Sequence, residues 1–240
     1  MRSVPISRRT LFGYAAGTAV GATSLAALGP TASADRPRLG TLVDYAGGVP
    51  SAASIRSAGH AGAIRYVSER RPGAEWMAGK PLQAREVDAL HAAGLTVVSN
   101  YQYGKGPTAD WRGGREAGKQ CADRGLHLHG VAGGPDSAPI YASIDDNPSP
   151  IEFARMIAPY LTGWQSVIGN DRLGVYANAP TIALAQAAGL GTYFWQHNWG
   201  TPRGFVHPAA NLHQFQINKC TLDNISVDLN DILTPNYGQW

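Results

Sequence analysis

A chain of 240 residues with 44% hydrophobic and only 15% charged side chains is long enough for one large domain with a substantial core, and too apolar to remain disordered. Its formal charge of +3 comes from the first 34 residues, where Arg2, Arg8 and Arg9 stand without an acidic residue, so the remainder is formally neutral. That balance argues against a nucleic-acid or anionic-membrane partner. The 29 glycines and 16 prolines are spread along the chain, which points to many turns and excludes a collagen-like or linker-like block.

Ser7-Arg8-Arg9-Thr10-Leu11-Phe12 is a twin-arginine pattern, followed by a moderately apolar stretch from Leu11 to Leu28 and the small residues Ala32-Ser33-Ala34. Residues 1–34 are read as a twin-arginine export signal cleaved after Ala34, and residues 35–240 as the mature domain. The expected partner during export is the twin-arginine translocase, and the expected location is secreted or cell-envelope associated. An uncleaved anchor is the competing reading, since the stretch is long enough for one. The paired arginines, weak hydrophobicity and Ala-x-Ala ending favour cleavage, with no stable membrane span in the mature form. This route carries folded proteins, so folding takes place in a reducing compartment. Cys121 and Cys220 could pair after export; the preferred reading is two free, buried thiols, and neither has the spacing of a zinc site.

From Arg38 the chain alternates between strand-like and helix-like segments. Leu39–Tyr45 reads as a strand, Ser51–Ala58 as a short helix, and Ala63–Ser68 as a second strand. Leu82–Ala93 is a helix closed by Gly94, Leu95–Tyr101 a third strand, and Arg112–Arg124 a helix closed by Gly125. The fourth strand opens Pro139-Ile-Tyr-Ala-Ser-Ile-Asp-Asp-Asn-Pro148, whose apolar run ends in carboxylates and a proline. Ile151–Val167 is a longer helix that Pro159 should kink or break. Leu173–Ala177 is a fifth strand and Thr181–Ala188 a helix closed by Gly189. Thr192–Asn198, Leu212–Asn218 and Ile225–Leu229 then follow as strands with no proper helix between them. Five β/α units followed by three strands imply an α/β chain folded as a single TIM-like barrel. An open doubly wound sheet is the alternative, but no glycine-rich dinucleotide fingerprint follows the first strand.

In such a barrel the functional face lies at the C-terminal ends of the strands. Those ends supply Asp44 and Tyr45; Glu69; Asn100, Tyr101 and Tyr103; Asp145, Asp146 and Asn147; Tyr176 and Asn178. The last three strands add Trp195, His197 and Trp199, then Gln214 and Gln216, then Asp228 and Asn230. Carboxylates among aromatic and amide side chains suit a sugar: aromatic rings stack on pyranose faces, amides bind hydroxyls, and a carboxylate pair can share acid and nucleophile roles. Taken singly, each residue has a plainer role. Asp44 or Asp146 could cap the next helix, Glu69 could be a surface residue, and strand aromatics are commonly core. Their shared placement at strand ends is what favours a site.

Other chemistry is weaker. His127-Leu128-His129 puts two imidazoles on one side of an extended segment, read as a surface loop rather than a metal site. No Gly-x-Ser-x-Gly elbow and no phosphate loop is present, and neither a metal nor a cofactor is expected.

The ordered motifs Gly40-Thr-Leu-Val-Asp44, Ile64-Arg-Tyr-Val-Ser-Glu69, Ile140-Tyr-Ala-Ser-Ile-Asp145-Asp-Asn147, Leu212-His-Gln-Phe-Gln216 and Val227-Asp-Leu-Asn230 resemble those of the glycoside hydrolase family 25 lysozymes. The closer resemblance is to exported actinobacterial proteins carrying a glycoside-hydrolase-like domain of unknown function. It implies that Asp44, Asp145 and Asp228 fall on active-site aspartates. It also implies a glutamate acid where this chain has Asn147, and an amide cannot supply a proton to a leaving oxygen at neutral pH. Glu69 or Asp146 is then the candidate acid, with Asp145 and Asp44 as central carboxylates and Asp228 in support. Tyr101, Tyr103, Asn147, Tyr176, Trp195 and Gln214 are the candidate substrate-binding residues. Two functions are expected from this set: hydrolysis of a cell-envelope polysaccharide or peptidoglycan, or a carbohydrate-binding barrel that has lost hydrolysis.

Overall fold

Alternation along eight short strands sets one row of side chains toward a central core and the next toward surrounding helices, and the strands close on one another in chain order. The computed structural model describes residues 36–240; the expected export signal and its cleavage site lie outside the described residues. The strands are β1 (Gly40–Asp44), β2 (Gly62–Tyr66), β3 (Thr96–Tyr101), β4 (Ile140–Ser143), β5 (Leu173–Asn178), β6 (Tyr193–His197), β7 (Leu212–Leu222) and β8 (Ile225–Ile232). The helices are α1 (Ala52–Ser57), α2 (Ala84–Ala92), α3 (Gly114–Val131), α4 (Pro150–Glu152), α5 (Ala158–Ile168) and α6 (Ala179–Ala187). Leu42, Ile64, Val98, Tyr141, Trp195 and Leu212 fill the barrel interior. Their chain neighbours Val43, Ala63, Val97, Ile140 and Phe194 face outward into the helix layer with Leu90, Tyr160 and Trp164.

The expected barrel of five β/α units and three further strands is observed. Strand direction adds a refinement. β1 to β7 run parallel, but β8 returns as a hairpin from β7 and pairs antiparallel with both β7 and β1. Asp228 therefore reaches the functional end from the first half of its strand, where it lies opposite Asp44.

Three local expectations are corrected. Gly125 does not close its helix; α3 runs on to Val131. A Cβ at Gly125 would sit 3.1 Å from the Trp164 ring and 3.2 Å from that of Tyr101, so this glycine serves close packing against α5 and β3. His127 and His129 consequently lie on a helix, not on one side of an extended loop. His129 is buried, with Nδ1 2.8 Å from Ser99 Oγ and Nε2 3.1 Å from the Pro135 carbonyl. The helix does not break at Pro159 but runs through it, and just before it Phe153–Ile157 forms a π-helical segment in which the Ala158 N–H donates to the Phe153 carbonyl. Finally, β2 ends at Tyr66, so Glu69 lies beyond the strand.

The outward face of β2 carries a buried cation. Arg65 Nε donates to Glu86 on α2 at 2.5 Å, and its other nitrogens donate to the carbonyls of Tyr45 and Gly79 at 2.6 and 2.5 Å. This ties the loop after β1 to α2 and fixes one wall of the barrel mouth. Cys121 and Cys220 are unpaired, as expected, but half-buried rather than buried. Among the described residues no helix is long and apolar enough to cross a membrane.

Candidate active site

At the mouth of the barrel is a cavity of about 620 Å³ whose lining includes Asp44, Tyr66, Trp76, Gln102, Lys105, Asp145, Tyr176, Gln214 and Asp228. A second cavity, of about 450 Å³, lies between α1, α2 and the β7–β8 turn, but it is largely apolar and holds none of the clustered carboxylates. The chemistry is at the mouth.

Asp44 ends β1 and follows the alternation that buries Leu42 inside the barrel. It is only 3% exposed. Its Oδ2 accepts from Asn230 Nδ2 at 2.8 Å and Gln214 Nε2 at 3.1 Å, and the Tyr66 hydroxyl stands 3.5 Å from Oδ1. Burial pushes its carboxyl up to about 7, and the nearby Asp228 adds to the rise. The same Gln214 nitrogen donates to Asp228 at 3.2 Å, and the Asn218 N–H donates to that carboxylate at 2.8 Å. Burial raises Asp228 as well. A second carboxylate close to a buried one makes ionisation costlier, so Asp228 adds to burial in favouring the neutral form of Asp44.

The amides are oriented by the aromatics beneath them. Tyr176 donates its hydroxyl proton to Gln214 Oε1 at 2.7 Å, which turns the Gln214 amide nitrogen toward the carboxyls. Trp195 Nε1 donates to Asn230 Oδ1 at 2.8 Å with the same effect. Trp195 is therefore a buried support for Asp44 and is not in the cavity lining, whereas Tyr176 belongs to both.

Asp145 stands on the opposite wall, three strands from Asp44 in a barrel of eight. Its Oδ2 accepts from Lys105 Nζ at 2.7 Å and from Gln102 Nε2 at 3.0 Å. Burial alone would raise this carboxyl; Lys105 and Gln102 outweigh it and hold Asp145 below the ordinary value. Gln102 is itself anchored through its carbonyl, which accepts from Ser68 Oγ at 2.7 Å and from Lys80 Nζ at 2.5 Å. Lys80 also lies 4.4 Å from the Tyr66 ring centre, and burial draws its ammonium down to about 7.

The remaining expected residues are placed elsewhere. Glu69 ion-pairs with Arg124 and lies outside the lining; although burial works against it, this partner holds the carboxyl ionised, the reverse of what an acid needs. Asp146 accepts the Asn147 N–H at 2.8 Å and has Arg112 at 3.7 Å, beside the main cavity rather than in it. Asn147 accepts from Asn178 Nδ2 at 2.9 Å and is likewise outside the lining. Tyr101 faces the helices, with its ring centre 5.5 Å from that of Trp164, because Asn100 occupies the inward position. Tyr103 lines a separate surface hollow with Arg70 and Arg71. Neither Asp44 nor Asp146 caps a helix, since Ser51 and Ser149 cap α1 and α4. Tyr66, Trp76, Gln102 and Lys105 were missed. Tyr66 was discoverable from its parity with Ile64 on β2, while the loop residues carry no sequence signal of this kind.

Among the described residues no group of three or more His, Cys, Asp or Glu side chains is arranged to hold a metal ion. The arrangement can instead hold a proton on one wall and a negative charge on the other.

The family profile described as "Rv2525c-like, glycoside hydrolase-like domain" matches residues 53–232. The chain is 56% identical over 237 residues to the protein named "Putative peptidoglycan hydrolase Rv2525c" of Mycobacterium tuberculosis, covering 98% of this chain and 99% of that one. Among solved structures, the Tat-secreted protein Rv2525c of M. tuberculosis in complex with L-tartrate is similar with a TM-score of 0.83 at 61% identity, over 84% of this chain and 99% of the other. A bacterial lysozyme from Streptomyces coelicolor is similar with a TM-score of 0.54 at 17% identity, over 83% and 94% of the two chains. That last likeness is one of fold alone.

Proposed function

Since this chain belongs to the Rv2525c-like, glycoside hydrolase-like domain family, we propose that it hydrolyses the glycan of peptidoglycan or a related cell-envelope polysaccharide. The observation that carries this reading is the contrast between two walls of one cavity, a proton-holding Asp44–Asp228 pair facing an ionised Asp145. Glycoside hydrolysis needs such a division, with one carboxyl to protonate the leaving oxygen and one to face the positive anomeric carbon. In this scheme Asp44 donates its proton to the glycosidic oxygen as the bond to the anomeric carbon breaks. Asp145 stabilises the cationic carbon, water adds there, and the water's proton restores the Asp44–Asp228 pair. Asn147 has no part in proton transfer, which agrees with its bond to Asn178.

The test is release of reducing ends from purified peptidoglycan by residues 35–240. Asp44→Asn and Asp145→Asn should each lower the rate by about 100- to 10,000-fold. The second reading, a binding barrel without hydrolysis, is favoured by one feature, the Lys105 ammonium that neutralises Asp145. Glycan binding by the parent without product on long incubation would establish that reading and sink the first.

Export by the twin-arginine translocase belongs to the same proposal, on the strength of Arg8-Arg9 and of the relative described as Tat-secreted. The exported protein should begin at Asp35 by N-terminal mass spectrometry, and a retained leader would refute cleavage after Ala34.

A further inference from the structure

Beyond the Lys105–Asp145 ion pair lies another cavity, of about 160 Å³, lined by Lys105, Gly106, Asp145, Asp146 and Trp199. It shares Lys105 and Asp145 with the main groove, so Asp145 stands between two spaces. Each space has an exposed indole in its lining, Trp76 at 61% in the groove and Trp199 at 66% in the smaller cavity. An indole in the wall of a polar cavity offers a flat apolar face on which a pyranose ring can stack.

The Trp199 wall is built rather than loose. The Trp199 N–H donates to His197 Nδ1 at 3.1 Å, and Thr201 Oγ1 both donates to the His197 carbonyl at 3.0 Å and accepts from the Ala179 N–H at 3.0 Å. Gly200 has φ 68°, a left-handed conformation, and a Cβ there would overlap the Asn147 side chain. Asn147 is held in turn by Asn178, a buried residue whose Oδ1 caps α6 through the Thr181 N–H at 2.9 Å. Asn147 thus fills the gap between the end of β5 and the turn that carries Trp199. Both bonds to Asp145 fall on Oδ2, and among the described residues Oδ1 has no hydrogen-bond partner.

We propose that this cavity is a second sugar subsite. It takes the pyranose ring next along the polymer from the one in the main groove, stacked on Trp199, with its hydroxyls bound by Asp145, Asp146 and Lys105. Asn147 is a positioning residue for that wall, which is why an amide occupies the place where the lysozyme resemblance implies an acid. The inference rests on the carbohydrate reading above and adds that the protein binds the interior of a chain across Asp145.

The experiment is calorimetric titration of residues 35–240 with β-1,4-linked N-acetylglucosamine oligomers of increasing length and with peptide-free peptidoglycan glycan strands. Trp199→Ala should weaken binding of the longer oligomers roughly five- to tenfold and leave the shortest unchanged. Asn147→Ala should reproduce that length-selective loss through the displaced wall, and Trp76→Ala should weaken every length. Oligomers that bind the parent and Trp199→Ala equally at every length would overturn this proposal alone. No binding by the parent to any probe would overturn the carbohydrate reading and the subsite with it.

Discussion

The two walls of the barrel mouth use the same side chain to opposite ends. On the β1–β8 wall, Asp44 is buried among neutral amides with a second carboxyl beside it, and it keeps a proton. On the β4 wall, Asp145 is only half-buried and has an ammonium at 2.7 Å, which holds its carboxyl below the ordinary value. Acid and base are assigned by neighbours, not by residue type. Under the proposed hydrolysis, the chain can lack a glutamate at Asn147 because the acid is Asp44, beside Asp228 on the other wall.

The sharpest way to break the contrast is to remove the proton-holding side. The raised carboxyl of Asp44 means that the native state binds its proton more tightly than the unfolded chain. Parent stability therefore falls as pH climbs from about 4 to about 7, by up to about 4 kcal/mol for roughly three pKa units. Asp44→Asn removes that slope. In urea unfolding the variant should gain on the parent at pH 8 and lose that gain at pH 4; a difference independent of pH would show that Asp44 is ionised in the fold.

Gln214→Leu should have the next largest effect, destabilising by about 1–3 kcal/mol, because Asp44 and Asp228 lose a common donor and Tyr176 loses its acceptor. Carboxyl NMR titration should also find Asp44 moved still further up. An unchanged titration would mean that the amide does not mediate the pair.

Lys105→Met sharpens the other wall. Asp145 has a depressed pKa, so the stability it contributes is present above the ordinary aspartate value and is lost as pH falls through the lower folded value. Losing Lys105 should raise the Asp145 titration and cost under about 1 kcal/mol, since the lysine is 55% exposed and its ion pair is screened by water. An Asp145 titration that stays put would transfer its depression to Gln102.

Much of the fold and part of this site are legible in the residues themselves. Strand number, their order and the helices between the first six follow from apolar periodicity and turn chemistry, which act over a few neighbours, whereas the antiparallel return of β8 does not. The same local rules put Asp44 and Asp145 at strand ends, but Tyr101, expected to bind substrate, faces the helices while its neighbour Asn100 faces inward. Tertiary structure decided the rest, because it depends on contacts between residues far apart in the chain. Asp44 meets Asn230 across 186 positions and Gln214 across 170, and their amides temper the rise that burial and Asp228 impose on its carboxyl. Gly125 resembles a helix stop until Trp164 is seen against it. Glu69 resembles a spare acid until Arg124 claims it, and Asn147 a lost one until Asn178 and Gly200 close around it. Sequence periodicity records which way a side chain points; only the assembled barrel determines what it meets there, and that meeting sets its charge.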